Sequence, residues 1–150
     1  MSRALLGFAI LAVAIVACSD DTGTTPGLEK RTPQFRKDVM PLLEQYCATS
    51  ACHLTEDQNL GITLKVADPA AVYAELKKDS PTAKGNPFVV PGDPKKSFLQ
   101  AKIDGTQAEF EQFCLLPACG EIMPPGASTK LTPRQRDVFR EWIAAGAKDD

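Results

Sequence analysis

Two cysteines followed at once by the only histidine constrain this chain more than any other feature. Residues 47–53 are CATSACH, so four residues separate Cys47 from Cys52, and His53 comes next. Side chains this close in sequence reach one small volume of any fold. Either the two thiols form a disulfide that closes a small loop beside an ordinary surface or core histidine, or the thiols and the imidazole together hold one group.

The order of these three residues is typical of the attachment site of a c-type haem. Two thiols add across the two vinyl groups of the haem, and the imidazole of the next residue ligates the iron from one side. The usual motif is C-x-x-C-H, whereas this chain has C-x4-C-H. The two additional residues can loop outward, because residues 48–51 are all small. We therefore expect Cys47 and Cys52 to attach a haem and His53 to ligate its iron.

The first 17 residues have the pattern of a signal peptide. Arg3 gives a positive start, and the apolar run at residues 4–16 is too short to span a bilayer comfortably. The run ends in Ile-Val-Ala-Cys, which resembles a bacterial lipobox, whose cysteine becomes the lipid-modified first residue of the mature protein. Residues 18–31 would then be the lipidated Cys18 and a flexible tether. The alternative is ordinary signal cleavage with a cysteine at position 18 by chance.

Residues 32–150 are predicted to form a single domain of mainly α class. In the first helix, Thr32 is the candidate N-cap, Pro33 suits the first helical position, and Pro41 should bend the helix or start it anew. The last helix should begin with a capping box at Thr132 and end near Gly146. Short helices are expected near residues 69–76, 97–103 and 107–113, a rigid turn at 89–94, and an extended segment at 62–66.

Taken in order, these segments resemble a bacterial c-type cytochrome domain of the lipoprotein-anchored kind. The matching pieces are the helix before the cysteines, Cys52-His53, the segment at 68–76, the VPGDP turn with the helix after it, and the MPPG loop with the final helix. The resemblance covers about residues 33–148. It implies a cytochrome c-like fold, in which the first and last helices pack against each other, with Phe139 and Trp142 in the core, around one covalent haem c.

Met123 matches the distal iron ligand of that family. It precedes a Pro-Pro-Gly loop, and Pro124 favours an extended backbone at Met123, which helps to aim its side chain away from the loop. A thioether opposite histidine raises the reduction potential. The competing interpretation is a buried core methionine. Met40 lies in the first helix, one position off its apolar stripe.

The cysteines divide without remainder if these assignments hold. Cys18 takes lipid, and Cys47 and Cys52 take haem. Cys114 and Cys119 are then left as a pair that can form a disulfide, in the oxidising compartment that export implies. This pair is a departure from the simple family pattern, and it lies just before the methionine loop.

The resemblance implies a single-electron carrier rather than an enzyme, because His53 and Met123 would fill both axial positions of the iron. Expected partners are redox proteins of the periplasm, with membrane contact only through the lipid anchor. The expected location is the cell envelope, on its periplasmic or cell-surface side. The net charge of −2 and the absence of a basic block do not indicate a nucleic-acid partner.

Two other functions stay open on the sequence. One is a haem-free, disulfide-stapled envelope lipoprotein that acts as a binding module. The other is a haem sensor or enzyme with an open sixth position, which requires that Met123 does not bind the iron.

Overall fold

The computed structural model describes residues 31–55, 62–126 and 130–150. The described residues belong to one compact unit, residues 31–150. The predicted signal peptide, Cys18 and the tether up to residue 30 lie outside the described residues. Within the part that is described, no helix is long and apolar enough to cross a membrane.

The unit at residues 31–150 is mainly helical, which confirms the predicted class. A π-helical turn at Phe35–Val39 leads directly into helix α1, Met40–Tyr46. Helices α2, α3 and α4 are Pro69–Leu76, Phe98–Asp104 and Pro133–Ala144. Short 3-10 helices occupy Pro94–Lys96, Gln107–Phe113 and Pro117–Cys119. At the predicted extended segment, residues 62–65 have no regular secondary structure and residues 66–67 form a turn.

The start of the first helix differs from the prediction. Thr32 and Pro33 precede it, and Gln34 occupies the N-cap position without a side-chain cap. The first amide groups are instead satisfied from elsewhere: Asp38 accepts from Gln34 N at 2.7 Å, and Asp150 accepts from Phe35 N at 2.9 Å. A partner 115 residues away in sequence therefore decides where this helix begins, and no local capping pattern records it. Pro41 does start a new helix, as expected, since it lies in the first turn of α1.

The first and last helical segments pack together through aromatic side chains. The ring of Phe35 stacks on Trp142 with centroids 5.3 Å apart and meets the edge of Tyr73 at the same distance. Phe35, Phe139 and Trp142 are all within 1% of complete burial, which confirms the predicted core positions of Phe139 and Trp142. The indole of Trp142 donates to Lys148 O at 2.9 Å, so its one polar atom is satisfied.

The predicted capping box of α4 is present. Thr132 accepts from Gln135 N, and the Gln135 side chain accepts from Thr132 N at 2.8 Å. The same Gln135 side chain donates to Tyr46 OH at 2.9 Å and so ties the start of α4 to the end of α1.

The predicted turn before α3 is also found. Gly92 has φ +83°, a conformation that glycine adopts at no steric cost, and its N–H donates to Ile143 O of α4 at 2.8 Å. The buried Ser97 hydroxyl accepts from Val90 N at 2.9 Å and donates to Asp93 O at 2.8 Å. These bonds fix the direction in which α3 leaves the turn, and α3 forms one wall of the cavity described next.

Candidate functional site

One cavity of about 460 Å3 brings together residues that are far apart in the sequence, from Leu43 to Pro125. Its lining is predominantly apolar. Cys47, Cys52, His53 and Met123, the four candidate haem residues, all line it. Other lining residues come from α1 (Leu43 and Tyr46), α2 (Glu75 and Leu76), α3 (Phe98, Leu99, Lys102 and Ile103) and the stretch from Leu116 to Pro125.

The two cysteines lie on a compact turn that follows α1. Cys47 is the C-cap of the helix and donates its N–H to Leu43 O at 2.9 Å. The chain then folds back, since Cys52 N donates to Thr49 O at 2.9 Å and His53 N donates to Cys47 O at 3.0 Å. The four residues between the cysteines thus form the turn, which brings Cys52 and His53 back beside Cys47.

Cys47 and Cys52 are thiols and do not form a disulfide with each other. Burial, with a smaller contribution from Cys52, raises the pKa of the Cys47 thiol to about 12. Cys47 is therefore protonated at neutral pH, as expected for sulfur in an apolar pocket.

The His53 ring is held by a backbone carbonyl. Its Nδ1 lies 3.2 Å from Ile62 O, which fixes a tautomer with the proton on Nδ1 and leaves the lone pair of Nε2 available. Burial lowers the pKa of His53, the bond to Ile62 opposes this, and the charge of Lys102 lowers the pKa further. The imidazole is consequently neutral at pH 7, the form that binds metals.

Met123 reaches the cavity from a loop that is anchored on α3. Its N–H donates to Lys102 O at 2.9 Å, and its side chain is half-buried. Met40, by contrast, is 7% exposed in the core and does not line the cavity. The structure thus separates the two methionines of the domain by location.

Cys114 and Cys119 form a disulfide with Cα atoms 5.2 Å apart. Cys119 is buried and lines the cavity, so the disulfide loop and the cavity wall are continuous. Leu116, inside that loop, also lines the cavity although it is 48% exposed, which places it where the cavity meets the surface.

Lys102 also belongs to the site, a role that was not predicted from the sequence. Its ammonium donates to Cys119 O at 2.9 Å and to Glu121 O, and the residue lines the cavity. Burial lowers the pKa of Lys102, and the charge of Glu121 partly offsets this. The available signal was the helical spacing of Phe98 and Lys102, four residues apart, with Leu99 and Ile103 beside them on the same face.

The site therefore offers two thiols, a neutral imidazole nitrogen and a thioether around one mostly apolar space. Imidazole and thioether are ligands that suit iron and copper, and thioethers favour the reduced, softer state. Among the described residues, no group of three or more histidine, cysteine and acidic side chains is arranged to hold a bare metal ion. Comparisons of the chain with protein-family models, curated proteins and solved structures found no match.

Proposed function

We propose that this chain is a c-type cytochrome domain that carries single electrons in the bacterial cell envelope. One haem c would be attached through Cys47 and Cys52, with His53 and Met123 as the axial ligands of its iron. One observation carries the proposal: these four residues, distant in sequence in the case of Met123, line the same cavity.

The size and chemistry of the cavity support a large flat apolar cofactor. Its volume of about 460 Å3 falls within the ~300–1,000 Å3 typical of ligand and cofactor pockets. Side chains such as Phe98, Leu99 and Ile103 supply apolar walls that exclude water from the bound group. A dry environment around iron is one of the factors by which a protein tunes its reduction potential.

Each candidate residue has a defined part in this proposal. The haem supplies one chemical property, an iron that gains and loses a single electron. Cys47 and Cys52, which form no disulfide with each other, would bind the haem covalently through their sulfurs. His53 would present Nε2 to the iron, since Ile62 O orients the ring through Nδ1. Met123 would close the remaining axial position and keep small ligands away from it.

The helical architecture is compatible with a cytochrome c-like fold around this group. In support, the first and last helical segments pack on each other through Phe35 and Trp142, and the loop of Met123 precedes the last helix. The proposal further holds that Cys18 carries a lipid anchor, that the partners are redox proteins of the periplasm, and that the domain is not an enzyme.

A matched pair of double variants tests the covalent attachment. The protein is produced in a host that matures c-type cytochromes, denatured, and assayed for haem absorbance that stays with the polypeptide. Wild type and Cys114→Ser/Cys119→Ser should retain the haem, because the second pair belongs to the disulfide. Cys47→Ser/Cys52→Ser should lose it. A colourless wild type would favour the haem-free binding module instead.

Carbon monoxide distinguishes an electron carrier from a haem sensor or enzyme. If Met123 ligates the iron, the reduced wild-type protein should keep its spectrum under carbon monoxide, because no axial position is open. Ready binding by the reduced wild type would replace the carrier proposal with a sensor or enzyme.

A further inference from the structure

The chain between the disulfide and Met123 takes an unfavourable backbone path. Ala118, Cys119 and Gly120 are three consecutive residues with positive φ, at 50°, 60° and 73°. For residues other than glycine this region costs roughly 1–2 kcal/mol each. Gly120 pairs its φ with ψ −161°, a combination open essentially to glycine alone. Such a path persists only where surrounding contacts hold it.

The disulfide of Cys119 and two backbone hydrogen bonds, from Cys119 N to Leu116 O and from Gly120 N to Pro117 O, hold this path from within the disulfide loop. From outside the loop, Lys102 contributes the only charged donor among the hydrogen bonds that the described residues make to it. Its ammonium donates to Cys119 O at 2.9 Å and to Glu121 O, the carbonyls on either side of Gly120. Its own backbone carbonyl accepts the Met123 N–H at 2.9 Å. The ammonium and the backbone carbonyl of Lys102 therefore both form hydrogen bonds with the segment at residues 119–123.

Gln107 also binds this segment, but it differs from Lys102 in charge and location. The side-chain amide of Gln107 donates to Gly120 O at 3.1 Å, so Gln107 binds the carbonyl that lies between the two bound by Lys102. Lys102 differs in that it is charged, lies on the regular helix α3, and borders the cavity. Hydrogen bonds from a charged donor are about twice as strong as neutral ones.

We propose that Lys102 is the positioning residue for Met123: its ammonium fixes the segment at residues 119–121 and thereby holds the Met123 sulfur within reach of the iron. This rests on the proposed function. The charge acts in the same direction, because a cation beside the cavity disfavours the additional positive charge of oxidised iron. Loss of the ammonium should therefore lower the reduction potential by loosening the methionine and by removing a charge.

The test compares Lys102→Leu, Lys102→Arg and Lys96→Leu with wild type. Leucine removes the donors and cannot ligate iron, arginine keeps charge and donors, and Lys96 is an exposed lysine paired with Asp93 outside the cavity. Four quantities are measured: amide hydrogen exchange at Met123, the sulfur-to-iron absorption band, carbon monoxide binding by the reduced protein, and the reduction potential. Hydrogen exchange is measured on the haem-free protein as well.

Lys102→Leu should speed exchange at Met123 and raise carbon monoxide affinity by about tenfold or more, the equilibrium factor expected from lost hydrogen bonds to a charged donor. Its band should weaken and its potential should fall. Lys102→Arg should restore most of each property, and Lys96→Leu should match wild type.

If Lys102→Leu alters exchange but leaves the band, carbon monoxide affinity and potential unchanged, Lys102 is only structural and the proposal is overturned. Unchanged exchange overturns it too. If wild type carries no haem, the proposed function fails, whereas exchange in the haem-free protein still shows whether Lys102 holds the segment.

Discussion

Replacing each of two methionines by alanine separates a ligand from a packing residue. Met40 is 7% exposed and lies among core side chains, so Met40→Ala should lower the free energy of unfolding by about 2–5 kcal/mol. Met123 is half-buried and faces a cavity, so fewer packing contacts are lost and the cost to the haem-free protein should be below about 2 kcal/mol. Urea unfolding of the haem-free proteins measures both values.

In the haem-loaded proteins, Met123→Ala should have the larger effect on the properties of the haem. Met123→Ala should abolish the weak sulfur-to-iron band at the red edge of the visible spectrum, open the iron to carbon monoxide in the reduced state, and lower the reduction potential. Met40→Ala should change none of these. Met123 is not the iron ligand if Met40→Ala alters the haem spectrum while Met123→Ala leaves it intact.

Three further perturbations have defined outcomes. Trp142→Ala should lower the free energy of unfolding, measured in urea, by about 3–5 kcal/mol, because it removes the ring that stacks on Phe35 and leaves a cavity. A loss below about 1 kcal/mol, on the scale of a surface substitution, would show that Trp142 is not a core residue. Hydrogen bonds from Arg31 lower the pKa of Asp38, so its stabilisation is present above its unfolded pKa of 3.8 and is lost as pH falls through the lower folded pKa. Asp38→Asn should therefore be less stable than wild type by up to about 1 kcal/mol at pH 7 and equally stable in strong acid, and a difference that persists in strong acid would exclude this explanation. Cys18→Ser should release the protein from membranes or leave it unprocessed. A soluble wild-type protein that starts at another residue would show that Cys18 carries no lipid anchor.

The last helix could be predicted from the sequence because its signals are local. The capping box at Thr132 and Gln135 and the stripe of Phe139, Trp142 and Ile143 lie within twelve residues, and the structure has each of them. The first helix could not be placed to the residue, because its first amides are satisfied by Asp38 and by the distant Asp150. Local propensity yields to tertiary contacts at such ends.

In the candidate site, too, the residues that are close in sequence could be predicted, and the contacts between distant residues could not. Cys47, Cys52 and His53 are neighbours in sequence, so their proximity in the fold followed directly from the motif. The bond from His53 to the Ile62 carbonyl and the bonds from the Lys102 ammonium to Cys119 O and Glu121 O are contacts of the folded chain, and the sequence does not predict them. The sequence favoured Met123 over Met40, because only Met123 precedes the Pro-Pro-Gly loop. The structure adds burial in the core for Met40 and a place in the cavity wall for Met123.

Mass spectrometry of the peptide that spans residues 47–53 decides whether this chain carries a covalent haem. In protein matured by a host that assembles c-type cytochromes, we expect one peptide that contains Cys47 and Cys52 together with the full mass of one haem. A peptide without haem, lighter by two hydrogen atoms because Cys47 and Cys52 have formed a disulfide, would rule out haem attachment at this site.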